Sequence, residues 1–298
     1  MIAPRRVLAR AGRRPLAAWP AGAIVALALL GPAGVRAAGP DAPTVTAWDR
    51  YVARVEARLA AAAVPAAPFL LLDLQGAESR LRDLRALIAG AVLVARAGLP
   101  AGVEDGERVP GGLVHHWRGA MLVRGMALED AARELQDPPG GRHQQVDVLD
   151  SRVLRREGDA TRVYLKLVRR ELVTVYYATE HEVRSHRLGP DRALIRSVAT
   201  RIAELEHVGT PRERERPPAR DRGFLWRLNA YWRLQAVPSG VVVELESVSL
   251  SRDVPAFVAP LADPLVDRIA RESIVRTLEA TRARLAAPRP ILSPGGPP

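Results

Sequence analysis

Between residues 224 and 236 every second position is apolar: Phe224, Trp226, Leu228, Ala230, Trp232, Leu234 and Ala236. Arg227, Asn229, Tyr231, Arg233 and Gln235 occupy positions between them. A period of two belongs to an extended strand and predicts one buried face and one wet face. Pro238-Ser239-Gly240 reads as a tight turn, so residues 241–251 are expected to return as an antiparallel partner. The period then changes. Val266, Ile269, Ala270, Ile274, Leu278, Thr281 and Leu285 recur at helical spacing, with Asp263 as the expected N-cap and Pro264 at the first helical position. Arg268, Glu272, Arg276, Glu279 and Arg282 fall off that stripe and are expected in solvent. A long hairpin with one aromatic-rich face, closed by a helix, predicts a cavity rather than a solid core.

Residues 47–62 pattern as a helix through Trp48, Tyr51, Val52, Val55 and Leu59. Residues 69–72 are expected as a short apolar strand, 77–88 as a helix and 91–97 as a strand, before glycine and charge break the pattern at 102–112. The main domain starts near Val114 with a strand at 115–123 and a short helix at 127–135, ended by Pro138-Pro139-Gly140-Gly141. Strands are expected at 146–156, 161–168, 171–187 and 192–207, which makes the order strand, helix, six strands, helix. Residues 209–222, with Pro211, Pro217 and Pro218 among alternating Arg and Glu, are expected as a mobile connection beside the cavity mouth.

Charge changes this picture less than its size implies. The chain of 298 residues carries +11, yet Arg5, Arg6, Arg10, Arg13, Arg14 and Arg36 precede Ala37 with no acid among them. The remainder has 38 bases against 33 acids and shows no basic run with interleaved aromatics, so no nucleic-acid partner is expected. Lys166 is the one lysine, and biased codon usage accounts for the arginines. The amino terminus runs from basic residues to an apolar stretch at 21–30 and then to small residues around Ala37 and Ala38, the order of a cleavable signal peptide. A periplasmic or secreted protein is expected, with an inner-membrane anchor as the alternative. There is no cysteine, hence neither a disulfide nor a lipoprotein anchor. The resulting division is 1–37 signal peptide, 38–108 helical extension, 109–286 main domain and 287–298 disordered tail.

The order of elements, with the strand texts VYLKLVRRELVTVYYATEHEV and GFLWRLNAYWRLQAVPSGVVVELESVSLSRDVP, resembles the START-like, or SRPBCC, superfamily over residues 114–285. The similarity is closest to its polyketide-cyclase and coenzyme Q-binding branch. The resemblance implies an α+β helix-grip fold, a curved antiparallel sheet of about seven strands around a long C-terminal helix. It also implies a cavity for a lipid, sterol, polyketide or isoprenoid quinone. Non-catalytic binding or transfer of a hydrophobic small molecule is therefore expected, with transient membrane contact. A cyclase- or hydratase-type enzyme using a buried carboxylate and a ligand-free envelope scaffold are the alternatives. The chain departs from the superfamily in its exported terminus and in the segment before Val114.

Candidate chemistry is sparse. His181-Glu182-Val183-Arg184-Ser185-His186 places its histidines five apart on a strand, facing opposite ways, so no metal site is expected there. Of His115 and His116 at most one can enter the interior. There is no glycine-rich phosphate loop, nucleophile elbow or cysteine nucleophile, and no cofactor is expected. Glu244 and Glu246 share a face, as do Glu180 and Glu182; they are expected in solvent or paired with Arg196 and Arg201 inside the sheet. The expected ligand-binding residues are Trp226, Leu228, Trp232, one of Tyr176 and Tyr177, Arg196, Arg201, Glu246 and Ile274. Arg201 is expected to orient a polar head group.

Overall fold

The computed structural model describes residues 39–65, 67–97, 108–137, 147–170, 173–253 and 259–287. The expected signal segment, and all but the first residue of the expected tail, lie outside them. In chain order the elements are α1 (Ala42–Ala62), a 3-10 turn (Leu71–Leu74), α2 (Ala77–Ile88), β1 (Leu93–Arg96), β2 (Arg108–Val109) and β3 (Gly112–Arg124). Then follow α3 (Leu128–Gln136), β4 (Val148–Glu157), β5 (Ala160–Arg170), β6 (Thr174–Arg187) and β7 (Arg192–Glu206). A two-residue β8 (Arg214–Glu215), β9 (Arg227–Val237), β10 (Gly240–Arg252) and α4 (Ala259–Ala286) complete the fold.

The described strands form one antiparallel sheet in the order β1-β3-β10-β9-β7-β6-β5-β4, with β2 on β3 and β8 on β7. Its seven long strands are those the sequence predicts. The β9–β10 hairpin closes at Gly240, whose φ of 141° and close approach to the Val123 carbonyl exclude a side chain. On one face, inward positions of β3, β7, β9 and β10 pack with Ile274, Leu278 and Leu285 of α4. Gly119 of β3 allows that contact: a Cβ there would lie 2.5 Å from Leu278 Cδ1 and 2.8 Å from Ile274 Cγ2. Helix α4 begins earlier than predicted, at Ala259, so Asp263 and Pro264 lie within it. Pro260 instead occupies the first turn, where a missing N–H costs nothing.

The opposite face of the sheet is also covered. Trp48, Tyr51, Val55 and Leu59 of α1 pack on Val114, Tyr231, Val248 and Leu250, while Phe69, Leu70, Leu72 and Leu87 pack on Ala120, Leu122 and Val242. The polar side of β9 is therefore not wet, as alternation alone predicts. Tyr231 and Arg233 are almost fully buried beneath α1. The segment before residue 109 also supplies β1, which pairs with β3 from Leu93↔Ala120 to Arg96↔Trp117. The expected boundary at 108 thus divides residues that share one sheet.

Two local expectations are corrected. Residues 69–72 do not form a strand, because their amides are taken by carboxylates. Phe69 N and Leu70 N donate to Asp73 at 3.2 and 3.0 Å, and Leu71 N and Leu72 N donate to Glu244 at 2.7 and 3.0 Å. The connection at 209–222 is pinned rather than loose. It contributes β8, Arg216 N donates to the Glu204 carbonyl at 2.7 Å, and Arg222 Nε donates to the buried Glu204 carboxylate at 2.6 Å.

Candidate functional site

Between α4 and the inward face of β5, β6, β7, β9 and β10 lies a cavity of about 200 Å³. Strand alternation supplies its apolar walls. Leu228, Ala230 and Trp232 are successive inward residues of β9, Leu245 faces in from β10, Val163, Leu165 and Leu167 from β5, and Ile274 closes it from α4. Three polar groups near its edge satisfy one another: Asp147 Oδ2 lies 3.4 Å from Arg276 Nε and 3.5 Å from Arg169 Nη1. Arg276 is thus half-buried and paired, not free in solvent as the helical stripe predicts.

His181 lines the same space from β6, and its hydrogen bonds fix its tautomer. The Thr179 hydroxyl donates to the Leu165 carbonyl at 3.1 Å, which leaves its oxygen to accept from His181 Nε2–H, also at 3.1 Å. Nδ1 is then an acceptor, and the Ser197 hydroxyl donates to it at 3.3 Å. Burial pushes the imidazole down to about 4, so it is neutral in neutral solution.

The expected site residues divide among three places. Leu228, Trp232 and Ile274 line the cavity. Tyr177 faces inward but packs in a neighbouring cluster with Val148 and Leu167, where burial raises its phenol, while Tyr176 lies on the other side of β6. Trp226 belongs to the outer cluster with Trp48 and Leu250, because the chain bends at Phe224 and Trp226 and becomes regular strand only at Arg227. Arg196 is on the outer face, with Nε 2.7 Å from Glu56 Oε1. Arg201 is also outside and bonds Glu215. A bulge at Thr200, where Glu180 pairs with Arg201 and His181 with Ala199, reverses which residues of β7 face inward.

Glu246 is buried on the face opposite the cavity, since its neighbours Leu245 and Ser247 are the ones that line it. Its carboxylate accepts from Arg58, from His116 Nε2 at 2.7 Å and from Arg233 Nη2 at 2.6 Å; Tyr51 Oη holds His116 Nδ1 at 2.7 Å. Burial alone would raise this carboxyl, but the His116 hydrogen bond and the Arg233 and Arg58 charges hold it down to about 2. Glu244 beside it is pushed up by burial, against Arg233 and the two amides of the 3-10 turn. Neither glutamate meets the cavity. The partners are Arg58 and Arg233, not Arg196 and Arg201. The expected residues omit, among the polar groups of the lining, His181, Ser197 and Arg284. Arg284 follows Thr277 and Thr281 at helical spacing on the cavity side of α4, a signal masked by its charge.

An antiparallel sheet closed around a C-terminal helix, with the cavity between them, has one description. The fold is a helix grip. The solved structures it resembles include START-type proteins. The STAR-related lipid transfer protein from Xanthomonas axonopodis is 17% identical, with a TM-score of 0.41 over 61% of this chain and 97% of that one. Human STARD10 is 11% identical, with a TM-score of 0.40 over 71% of this chain and 80% of that one. The Zhui aromatase/cyclase from a Streptomyces species is 11% identical, with a TM-score of 0.40 over 58% and 93%. No protein-family model and no curated protein matches the sequence.

Proposed function

We propose that this protein holds a small apolar or amphipathic molecule in the cavity between the sheet and α4, without covalent chemistry. The observation that carries this reading is the cavity itself, about 200 Å³ with walls of Leu228, Trp232, Leu245 and Ile274 and polar groups at its edges. An apolar cavity of about 150 Å³ accepts benzene. The space here therefore suits a ring-sized body, or one end of a longer chain, better than a whole lipid or isoprenoid quinone. Burying roughly 150–200 Å² of such a body contributes about 4–5 kcal/mol at ~25 cal/mol per Å². Association costs at least about 4 kcal/mol. Apolar contact alone gives weak binding, and a polar anchor must supply the rest.

Extraction of protein purified under non-denaturing conditions, followed by mass spectrometry, tests the reading. A stoichiometric small molecule supports it, and a chain that is persistently empty and takes up no added ring compound argues for a scaffold role instead. The reading includes export: the basic, apolar, small-residue order of the first 38 residues supports maturation near Ala37. Amino-terminal sequencing of native protein checks this, and an intact Met1 in a cytosolic fraction contradicts it. Apolar ligands partition into membranes, so exchange through transient membrane contact belongs to the same proposal; co-sedimentation with vesicles checks it.

A further inference from the structure

Arg284 is the cavity residue that apolar walls do not explain. It lies in the last turn of α4, 9% exposed, and lines the cavity with Leu135, Asp137 and Thr281. Its hydrogen bond runs from Nη1 to the Asp137 carbonyl at 3.3 Å, and its Nε is buried with no acceptor. Among the described residues no carboxylate oxygen comes within 4 Å of it, whereas Arg169, the other arginine on the wall, has Asp147 at 3.5 Å.

A guanidinium stays charged in a protein, and a buried charge is normally held by a counterion with matching hydrogen bonds. The carbonyl end of α4 offsets part of the cost but leaves donors unused. Burial lowers the pKa of this arginine, with Glu134 and Asp137 opposing from a distance. A single guanidinium on the lining of a ring-sized space, with a buried Nε left without an acceptor, is suited to one planar anion that accepts two hydrogen bonds.

We infer that the ligand carries a carboxylate, which Arg284 binds at the end of the cavity while the apolar body lies against Leu228 and Trp232. This rests on the cavity being a ligand site and adds the class of molecule. A carboxylate fits better than a phosphate, because the single guanidinium of Arg284 balances one negative charge and not two.

Titration calorimetry of the full chain with benzoate, benzyl alcohol and phenyl phosphate, before and after Arg284→Met, tests the inference. Benzoate is expected to bind at least tenfold tighter than either other compound. Arg284→Met is expected to weaken benzoate at least tenfold, to leave benzyl alcohol within threefold, and to leave the ligand-free Tm unchanged or raised, since it removes a buried charge without a counterion. Equal affinity for benzoate and benzyl alcohol, or a benzoate preference that survives Arg284→Met, overturns the inference and leaves the cavity reading standing. Binding of none of the three overturns both. If Arg284→Met does not fold, Arg284→Lys decides: benzoate weakened severalfold with benzyl alcohol unchanged supports the inference, and unchanged benzoate overturns it.

Discussion

Arg233 Nη2 donates to Glu246 Oε2 at 2.6 Å, with both side chains at most 1% exposed, on the face of the sheet that the cavity does not reach. The pair sits under α1, which adds Arg58 to the same carboxylate. This network ties the amino-terminal segment to the sheet. Replacing Glu246 with Gln leaves two guanidiniums short of a counterion and is expected to cost about 3 kcal/mol of stability. Urea denaturation measures it. Binding of a ring compound in the cavity of the folded variant is expected to persist, and its loss would place Glu246 in the ligand site after all.

Acid is expected to destabilise the protein in two windows. Glu246 is held down to about 2 in the fold, so its contribution is complete above the ordinary glutamate value of 4.5 and is lost as pH falls from there toward 2. His181 is held at about 4 against an ordinary 6.5, so the unfolded chain takes the proton first. Stability therefore falls between pH 6.5 and 4, by up to about 3 kcal/mol. Urea midpoints across that range are expected to decline in the unmodified chain and to flatten in His181→Gln. An unchanged slope in the variant would show that His181 is not the titrating group.

The close approach at Gly119 predicts a steep size dependence. Gly119→Val forces Leu278 and Ile274 of α4 away from β3 and is expected to cost about 1–3 kcal/mol, with Gly119→Ala nearer the lower bound. Thermal denaturation of the two variants gives the order. Equal stability to the parent would mean that α4 does not pack on β3 as described.

Trp226 and Trp232 are expected to separate stability from binding. Trp226→Ala removes a large buried side chain from the outer cluster and is expected to cost about 3 kcal/mol or more with ligand affinity retained. Trp232→Ala opens the cavity wall, so it is expected to cost less stability and to weaken ring-compound binding at least tenfold. Paired denaturation and binding measurements distinguish them.

The long strands, the hairpin and the closing helix are legible in the sequence because each carries a sustained period of two or of helical spacing. Local defects are not. The bulge at Thr200 turns Arg201 outward, and the bend before Arg227 moves Trp226 to the other face, and neither has a compositional signal. The burial of Arg233 and Glu246 depends on α1, and that of Glu244 on the 3-10 turn, both remote in sequence from β9 and β10. An alternating strand reports only that its two faces differ, not what covers the polar one. Arg284 was hidden for the opposite reason, since a charge beside an apolar stripe ordinarily marks the solvent side of a helix.

Native mass spectrometry of the unmodified chain beside Ala230→Trp decides whether the cavity holds the ligand. Ala230 lines the middle of the β9 wall, and an indole there fills the space without touching the outer network. A one-to-one small-molecule adduct, endogenous or from an added ring compound, is expected on the unmodified chain and none on the folded Ala230→Trp variant. An adduct of equal occupancy on both would place the ligand elsewhere and contradict the proposed site.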